Sequence, residues 1–403
     1  MNPPDPADVF APLAARPGAV WLDGGPSSWS ILAWDPVDVR TGGDPADTGR
    51  ALSRAADPDG DAPFVGGVIG WVGYSDGAPE PASWLARYEG ALCFHAPSGR
   101  WHATGSAGFR ADAGRRLSAA PPASTPATPA GVELPAKLGP EAFRASVARI
   151  LDWIHQGDCY QVNLTRAVHV DGIPEPWSVW LRLRAAAGAA YGAYLRPTPN
   201  LAVLSSSPEL LLAVDGREAW SEPIKGTRPR GATPEADAAQ RVALTRSEKD
   251  QAELVMIVDL VRNDLGRVAA PGAVRWEPRR IDAHPNVLHA SQRVRATLAA
   301  GCDGWDALAA LSPAGSVTGC PKRRAMQRIA ELEPEPRGVY CGSVGFASDH
   351  GAARWNVAIR TAVWHDGRAR WHVGGGIVAD SDPAEEWQET VDKERLLRAA
   401  FLG

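Results

Sequence analysis

The stretch 338–380, GVYCGSVGFASDHGAARWNVAIRTAVWHDGRARWHVGGGIVAD, reads as three successive strands, GVYCGSVGFAS, ARWNVAIRTAVW and ARWHVGGGIVAD, joined by hairpins. Upstream of it, NLAVLSSSPELLLAVDG (200–216) reads as a strand pair and CYQVNLTRAVHV (159–170) as one strand. Helices fall between these groups. GPEAFRASVARILDWIHQGD (139–158) carries Phe143, Val147, Ile150, Leu151 and Ile154 at helical spacing and stops at Gly157. SEKDQAELVMIVDLVRND (247–264) and WDALAALSP (305–313) are predicted helices as well, and a last one starts near Asp382. Long strands joined by hairpins, with helices between groups of them, predict an α+β fold built on antiparallel sheet and not a parallel βαβ series.

Further out, GAVWLDG, SWSILAWDP, GGVIGWVGYS and ALCFHAPSGRWHATG are strand-like pieces that make 1–110 a β-rich part. The segment 111–140 is dense in Pro, Ala, Ser and Thr and is predicted to be a loop, leaving 141–403 as a longer mixed part. At 403 residues the chain can bury a large core. A net charge of -5, from 42 basic and 47 acidic residues, gives no footprint for nucleic acid, so a small anionic ligand would need local positive charge or a metal. The opening lacks a basic start followed by an apolar core, and no run approaches the length of a membrane span; a cytoplasmic protein with no membrane partner is expected. Five scattered cysteines without a CxxC pair indicate neither a disulfide framework nor a structural zinc site.

Two of the predicted helices present carboxylates. In 247–264, Ser247 with Asp250 resembles a capping arrangement, Leu254, Val255, Val258 and Val261 form the expected buried stripe, and Asp250 and Glu253 lie on another face. In the last helix Pro383 suits the first turn, and Glu386, Glu389 and Lys393 recur at i, i+3 and i+7. Each stripe by itself is the pattern of a solvated helix face. Brought together, the acids would form an all-oxygen site suited to Mg²⁺.

Eight blocks in order, GDCYQVNLTR, SSSPELLL, EPIKGTRPRG, SEKDQAELVMIVDLVRNDLGRV, HPNVLHASQRV, LSPAGSVTGCPKRRAMQRIAELEPEPRGVYCGSVGF, WNVAIRTAV and GGGIVADSDPAEEWQET, together resemble the chorismate-utilising enzymes. That family includes anthranilate synthase component I, aminodeoxychorismate synthase component I, isochorismate synthase and salicylate synthase. The resemblance covers about 140 to 400, the chorismate-binding catalytic region. It implies one large α+β domain of two interleaved subdomains, with antiparallel sheets stacked face to face and helices outside.

Residue by residue, the resemblance puts Glu253 and Glu389 at the Mg²⁺ ligands, with Asp250 and Glu386 as water-mediated supports. Tyr340, Arg360 and Lys393, with backbone N–H groups of Gly374 to Gly376, match positions that hold carboxylates. Ser316 and His289 fall beside them. Glu209 of SPEL matches the general acid that protonates the departing ring hydroxyl. Gln161 stands where the water-adding branch usually has a lysine base; an amide cannot take that proton, which disfavours the isochorismate and salicylate reactions.

Lys225 separates the remaining branches. Anthranilate synthases usually read PIAGT and aminodeoxychorismate synthases PIKGT; this chain reads PIKGT. An amine that is partly desolvated or beside positive charge becomes a nucleophile, able to attack ring C2 as the C4 hydroxyl leaves. Ammonia can then enter at C4 and expel the lysine, giving 4-amino-4-deoxychorismate on the way to 4-aminobenzoate, an intermediate of folate and of antibiotic routes alike. With no glutaminase section, ammonia is expected from a partner glutamine amidotransferase subunit. Anthranilate synthesis and a non-catalytic paralogue are the alternatives. The segment VWLDGGPSSWSILAWDP lacks the LLES-type tryptophan-binding sequence of many anthranilate synthases, and Glu209, Glu253, Glu389 and Lys225 together oppose a dead paralogue.

Overall fold

The computed structural model describes residues 3–74, 77–119, 131–284 and 287–403. Two large antiparallel sheets dominate it. In the first, the strands run in the order Gly319–Cys320, Gln161–Asp171, Arg368–Ile377, Thr361–His365, Leu201–Ser207, Tyr191–Thr198, Ala19–Asp23, Trp29–Ala33, Leu92–His95 and Arg100–Ala103, with Val132–Glu133 pairing beside Gln161–Asp171. The second runs Ala269–Trp276, Val294–Leu298, Glu218–Glu222, Leu210–Asp215, Ala353–Asn356, Ser343–Ser348, Gly67–Val72, Ser83–Tyr88 and Asp38–Thr41. A small third sheet holds Ile224–Pro229, Val287–Ser291 and Arg280–Ala283.

Alternation along the strands explains why the sheets stack. Val20, Ile31, Leu195 and Val203 of the first sheet meet Ile69, Trp71, Ala86 and Phe346 of the second in one buried cluster. The residues next to them on each strand face outward: Trp21, Leu32, Tyr194 and Leu204 pack under the helices Pro176–Ala187 and Pro383–Leu402. There Phe10 lies 5.4 Å from Trp177 and edge-on to Tyr194 at 5.9 Å. Each such side chain, taken out of water, contributes about 1.5–3 kcal/mol. On the far face of the second sheet, Leu212, Val214 and Ala296 pack under the helices Glu248–Gly266 and Gly304–Leu311. The result is helix, sheet, sheet, helix. The N-terminal strands are part of both sheets: Trp21 pairs with Tyr194, and Gly70 with Gly345.

Three expectations need correction. The second strand of 338–380 is two strands in different sheets: Ala353–Asn356 belongs to the second, Thr361–His365 to the first, and Arg360 between them takes a φ of +50°. The segment 111–140 is not one loop. A helix, Ala107–Ser118, covers its start, capped by Ser106, whose hydroxyl accepts from the Phe109 N–H at 3.2 Å, and Val132–Glu133 is a strand near its end. Alanine and arginine propagate a helix wherever proline is absent, and proline first returns at 121; 120–130 lie outside the described residues, as do Ser75, Pro285 and Asn286. In Glu248–Gly266, Val255 is 58% exposed, and the buried stripe is Leu254, Ile257, Val258, Val261 and Leu265. At 100° per residue the neighbours of Leu254 on its face are three and four positions on, not one. All five cysteines are free thiols. Among the described residues no helix is long and apolar enough to cross a membrane.

Candidate active site

The chain passes from the first sheet to the second at Pro208–Glu209, and back at 357–360. The two crossings are bonded to each other. The Val357 N–H donates to the Glu209 carbonyl at 3.0 Å, the Ser206 N–H to the Arg360 carbonyl at 3.0 Å, and the Ser207 hydroxyl to the Val357 carbonyl at 2.6 Å. An acid and a guanidinium are thereby fixed at one edge of the sandwich, at the wall of a cavity of about 730 Å³.

Glu209 is buried, and the Ser316 hydroxyl donates to its Oε1 at 2.7 Å. Burial pushes its carboxyl up to about 7; the Ser316 bond and the charge of Lys225 oppose the rise without cancelling it. A carboxyl in this state keeps a proton near neutral pH and can donate it. Arg360 has no hydrogen-bonding or ion-pair partner for its guanidinium among the described residues, and its non-glycine left-handed backbone is the kind of strain that functional sites hold. Burial lowers its pKa from the usual arginine range, and its charge faces His289. His289, held at 2.9 Å by Thr227, is pushed down to about 3 by burial first and by Arg360 second, so the ring is neutral.

Lys225 sits in a strand whose register to Val287–Ser291 shifts between Ile224 and Thr227. Gly226, at φ +87°, makes the irregularity possible; a Cβ there would lie 2.9 Å from Asp250 Cγ. The bulge takes Lys225 out of the ladder's alternation and sends its side chain to the cavity wall, where Nζ lies 3.6 Å from Glu253 Oε2. Its charged neighbours are acids: Glu253, Glu209 and Glu389 all interact with it. The positive neighbour expected as one route to an active amine is not what stands closest.

The helix Pro383–Leu402 starts at Asp382, whose carboxylate accepts from the Ala384 and Glu385 N–H groups, and one turn on it aims Glu386 and Glu389 at the glycine run. A Cβ on Gly375 would lie 3.2 Å from Glu386 Oε2 and 3.3 Å from Glu389 Oε1, so this position keeps room for both acids. Burial raises the Glu386 carboxyl, and Glu389 adds to the rise by repulsion. Burial acts on Glu389 too, but Lys393 at 2.5 Å brings it below the ordinary range. Asp250 is paired with Arg228 at 2.9 Å. Pairing between Arg368–Ile377 and Thr361–His365 ends at Trp371 and Ala362, so the strand edge over Gly374–Gly376 that faces away from Gln161–Asp171 is open to a ligand. The Lys393 ammonium donates to the Gly374 carbonyl at 2.9 Å.

Among the described residues no three His, Cys, Asp or Glu side chains form a ready-made cation cage. The donors nevertheless fit Mg²⁺, which takes one or two carboxylates and completes its shell with water and ligand oxygens. The mutual repulsion of Glu386 and Glu389 is what a divalent cation would relieve.

Of the residues singled out in the sequence, Glu209, Lys225, Asp250, Glu253, His289, Ser316, Tyr340, Arg360, Gly374, Gly376, Glu386, Glu389 and Lys393 all line this cavity. Gln161 does not. It is fully buried behind Gly376, whose Cβ would lie 2.7 Å from its Nε2, and neither end of its amide has a partner. Asn163, Arg228, Lys249 and His372 line the cavity and were missed. Two of them follow from alternation: Asn163 is two residues from Gln161, and His372 two from Gly374, on the same strand faces. His372 stacks on Tyr340 at 5.3 Å and 14°, and burial holds its ring neutral.

The family model for chorismate binding enzymes matches residues 18–399, and the chain belongs to that family. The chain is 37% identical over 440 residues to anthranilate synthase component 1 of Streptomyces coelicolor, covering 98% of this chain and 86% of that protein. It is 42% identical over 260 residues to aminodeoxychorismate synthase component 1 of Escherichia coli, covering 64% of this chain and 57% of that protein, so this match spans little more than half the relative's length. Among solved structures, anthranilate synthase component I of Streptococcus pneumoniae superposes with a TM-score of 0.82 at 28% identity, covering 93% of each chain. The menaquinone-specific isochorismate synthase of Escherichia coli shares the fold, with a TM-score of 0.78 at 19% identity over 98% of this chain and 91% of that one.

Proposed function

We propose that the protein aminates chorismate at C4, giving 4-amino-4-deoxychorismate, with ammonia supplied by a partner glutamine amidotransferase in the cytoplasm. The observation that carries this reading is Lys225: a primary amine at the wall of the cavity that also holds the protonated acid Glu209. Arg360 and the open edge over Gly374–Gly376 take the substrate's carboxylates. Glu253 and Glu389 would hold Mg²⁺, supported by Asp250 and Glu386, and the ion would supply positive charge for the ring carboxylate.

With chorismate held in this way, the Lys225 amine, freed of its proton, bonds to C2. The conjugated ring electrons shift, the C4–oxygen bond breaks, and the hydroxyl takes the Glu209 proton and leaves as water. Ammonia then bonds to C4, the shift reverses, and the C2–nitrogen bond to Lys225 breaks. The new C4 ammonium returns one proton to Glu209. Chorismate and ammonia are consumed and the product and one water are formed, with both side chains restored.

The second reading, anthranilate synthesis by direct attack of ammonia on C2, is favoured by the near full-length match to the Streptomyces coelicolor protein. Incubation with chorismate, Mg²⁺ and ammonium salt distinguishes the two. A C4-aminated product that still carries its enolpyruvyl group is expected. Anthranilate and pyruvate would refute the C4 reading. Lys225→Ala should lower C4 amination by orders of magnitude while chorismate still binds in calorimetry, because a covalent path stabilises the transition state more than the ground state.

A further inference from the structure

Asn163 is a buried amide that the reaction as written above does not use. Its backbone is fixed at both ends: the N–H donates to the Thr318 carbonyl at 2.8 Å, and the carbonyl accepts from Arg337 Nη2 at 2.8 Å. The residue is 7% exposed and lines the cavity. Nδ2 donates to the Ser316 carbonyl at 3.4 Å. A carbonyl can only accept, so the NH₂ end must face Ser316 and the free end is the amide oxygen. That oxygen, Oδ1, is buried without a hydrogen-bond partner among the described residues. A buried acceptor left unmade is costly, and such groups in native structures point to a missing partner.

The position of the amide narrows what the partner is. Ser316, whose carbonyl Asn163 holds, is the same residue whose hydroxyl holds Glu209. The free oxygen therefore belongs to the acid end of the cavity, where the C4 hydroxyl departs. As a neutral acceptor it repels the oxygens of a carboxylate and attracts an N–H or O–H donor. It carries no charge that would trap ammonia as ammonium, the form without a lone pair. The nitrogen that replaces the hydroxyl at C4 has to arrive at this end with its lone pair toward the carbon and its N–H bonds turned away.

We propose that Asn163 Oδ1 is the acceptor of a subsite for the incoming ammonia, fixing the nucleophile beside C4 through one of its N–H bonds. This rests on the C4 amination reading. No new bond is asked of Asn163; ammonia still bonds to C4 and its surplus proton still goes to Glu209.

The test is steady-state amination by the full chain with ammonium chloride as the nitrogen source, varied at saturating chorismate and Mg²⁺. Asn163→Leu, which removes the acceptor and keeps the branched shape, should raise KM for free ammonia by about tenfold or more, the loss of a single hydrogen bond to a small ligand. Chorismate affinity of the same variant, measured by calorimetry with Mg²⁺, should stay within about threefold of the parent, since no chorismate carboxylate is assigned to this atom. Asn163→Ala gives the same reading should the leucine variant not fold. An unchanged KM for ammonia overturns the inference, and so does a parallel loss of chorismate affinity, which would make Asn163 part of the chorismate grip or of the framework alone. The parent's product, identified by mass spectrometry in the same assay, tests C4 amination separately: anthranilate there would remove that reading while leaving the KM comparison to stand by itself.

Discussion

Glu209 is where function and stability pull in opposite directions. Its carboxyl titrates near 4.5 in an unfolded chain and about 7 in the folded one. Between those values the native state holds a proton that the unfolded state has released, so the contribution of Glu209 to stability is greatest below 4.5, falls as pH rises toward 7 and stays lower above it. The difference amounts to about 3 kcal/mol at pH 8, and Glu209→Gln, neutral at every pH, should recover much of it as a higher Tm at pH 8 than the parent, with no gain at pH 4. The same variant should lose about 10²-fold or more in kcat, because an amide has no proton to give the leaving hydroxyl. In the parent, kcat at saturating free ammonia should decline above pH about 7 as the acid is lost. A pH-independent kcat from 6 to 9 would show that another group protonates the hydroxyl. Glu209 was legible in SPEL by resemblance alone; its raised pKa was not, because the burial that causes it exists only in the folded chain, and Ser316, which bonds the carboxyl and opposes the rise, stands 107 positions away.

At the scale of elements, strands were easier to read than the places where they break. The pieces GAVWLDG and SWSILAWDP appear as Ala19–Asp23 and Trp29–Ala33, and the cap at Ser247 is present, with its hydroxyl accepting from the Asp250 N–H at 3.3 Å. Hidden in the sequence were the sheet-to-sheet crossings, since Val357–Arg360 has the same β-branched and aromatic surroundings as the strands beside it. The short helix Pro6–Phe10 and the helix Pro176–Ala187 were missed too, although in the latter Trp177, Trp180 and Leu183 are buried at helical spacing. The carboxylate stripe of Pro383–Leu402 was legible as spacing, but its target was not: only the folded register sets Gly375 beneath Glu386 and Glu389. Gly375→Ala should leave the strand intact, as its backbone needs no left-handed angle, and displace both acids by a few tenths of an ångström. A loss of about tenfold in the Mg²⁺ concentration dependence of chorismate binding is expected, with Tm little changed. Glu253→Gln and Glu389→Gln should abolish the Mg²⁺-dependent binding outright in calorimetry; full activity of both would remove the metal from these residues.

For the whole molecule, the stacked sheets work as a frame that brings distant segments to one edge. Glu209 and Arg360 lie at paired crossings, Lys225 comes from the small third sheet, and Glu389 comes from the last helix. A partner amidotransferase is proposed as the source of the nitrogen. The purified chain should turn over with ammonium salts, faster as pH rises toward about 7 and level above it, where the gain in free NH₃ is offset by loss of the Glu209 proton, and should use glutamine only when the second subunit is added. Glutamine-dependent product from this chain alone would contradict that division of labour. C4 amination by the covalent route requires that the Lys225 amine bond to the substrate. The most direct measurement is peptide mass spectrometry of the protein quenched with chorismate and Mg²⁺ in the absence of ammonia. The result predicted is a peptide heavier by one chorismate less one water, with the modification on Lys225 and discharged when ammonium is added before the quench. An unmodified Lys225 peptide, in protein that still makes the C4-aminated product once ammonium is supplied, would contradict the covalent route.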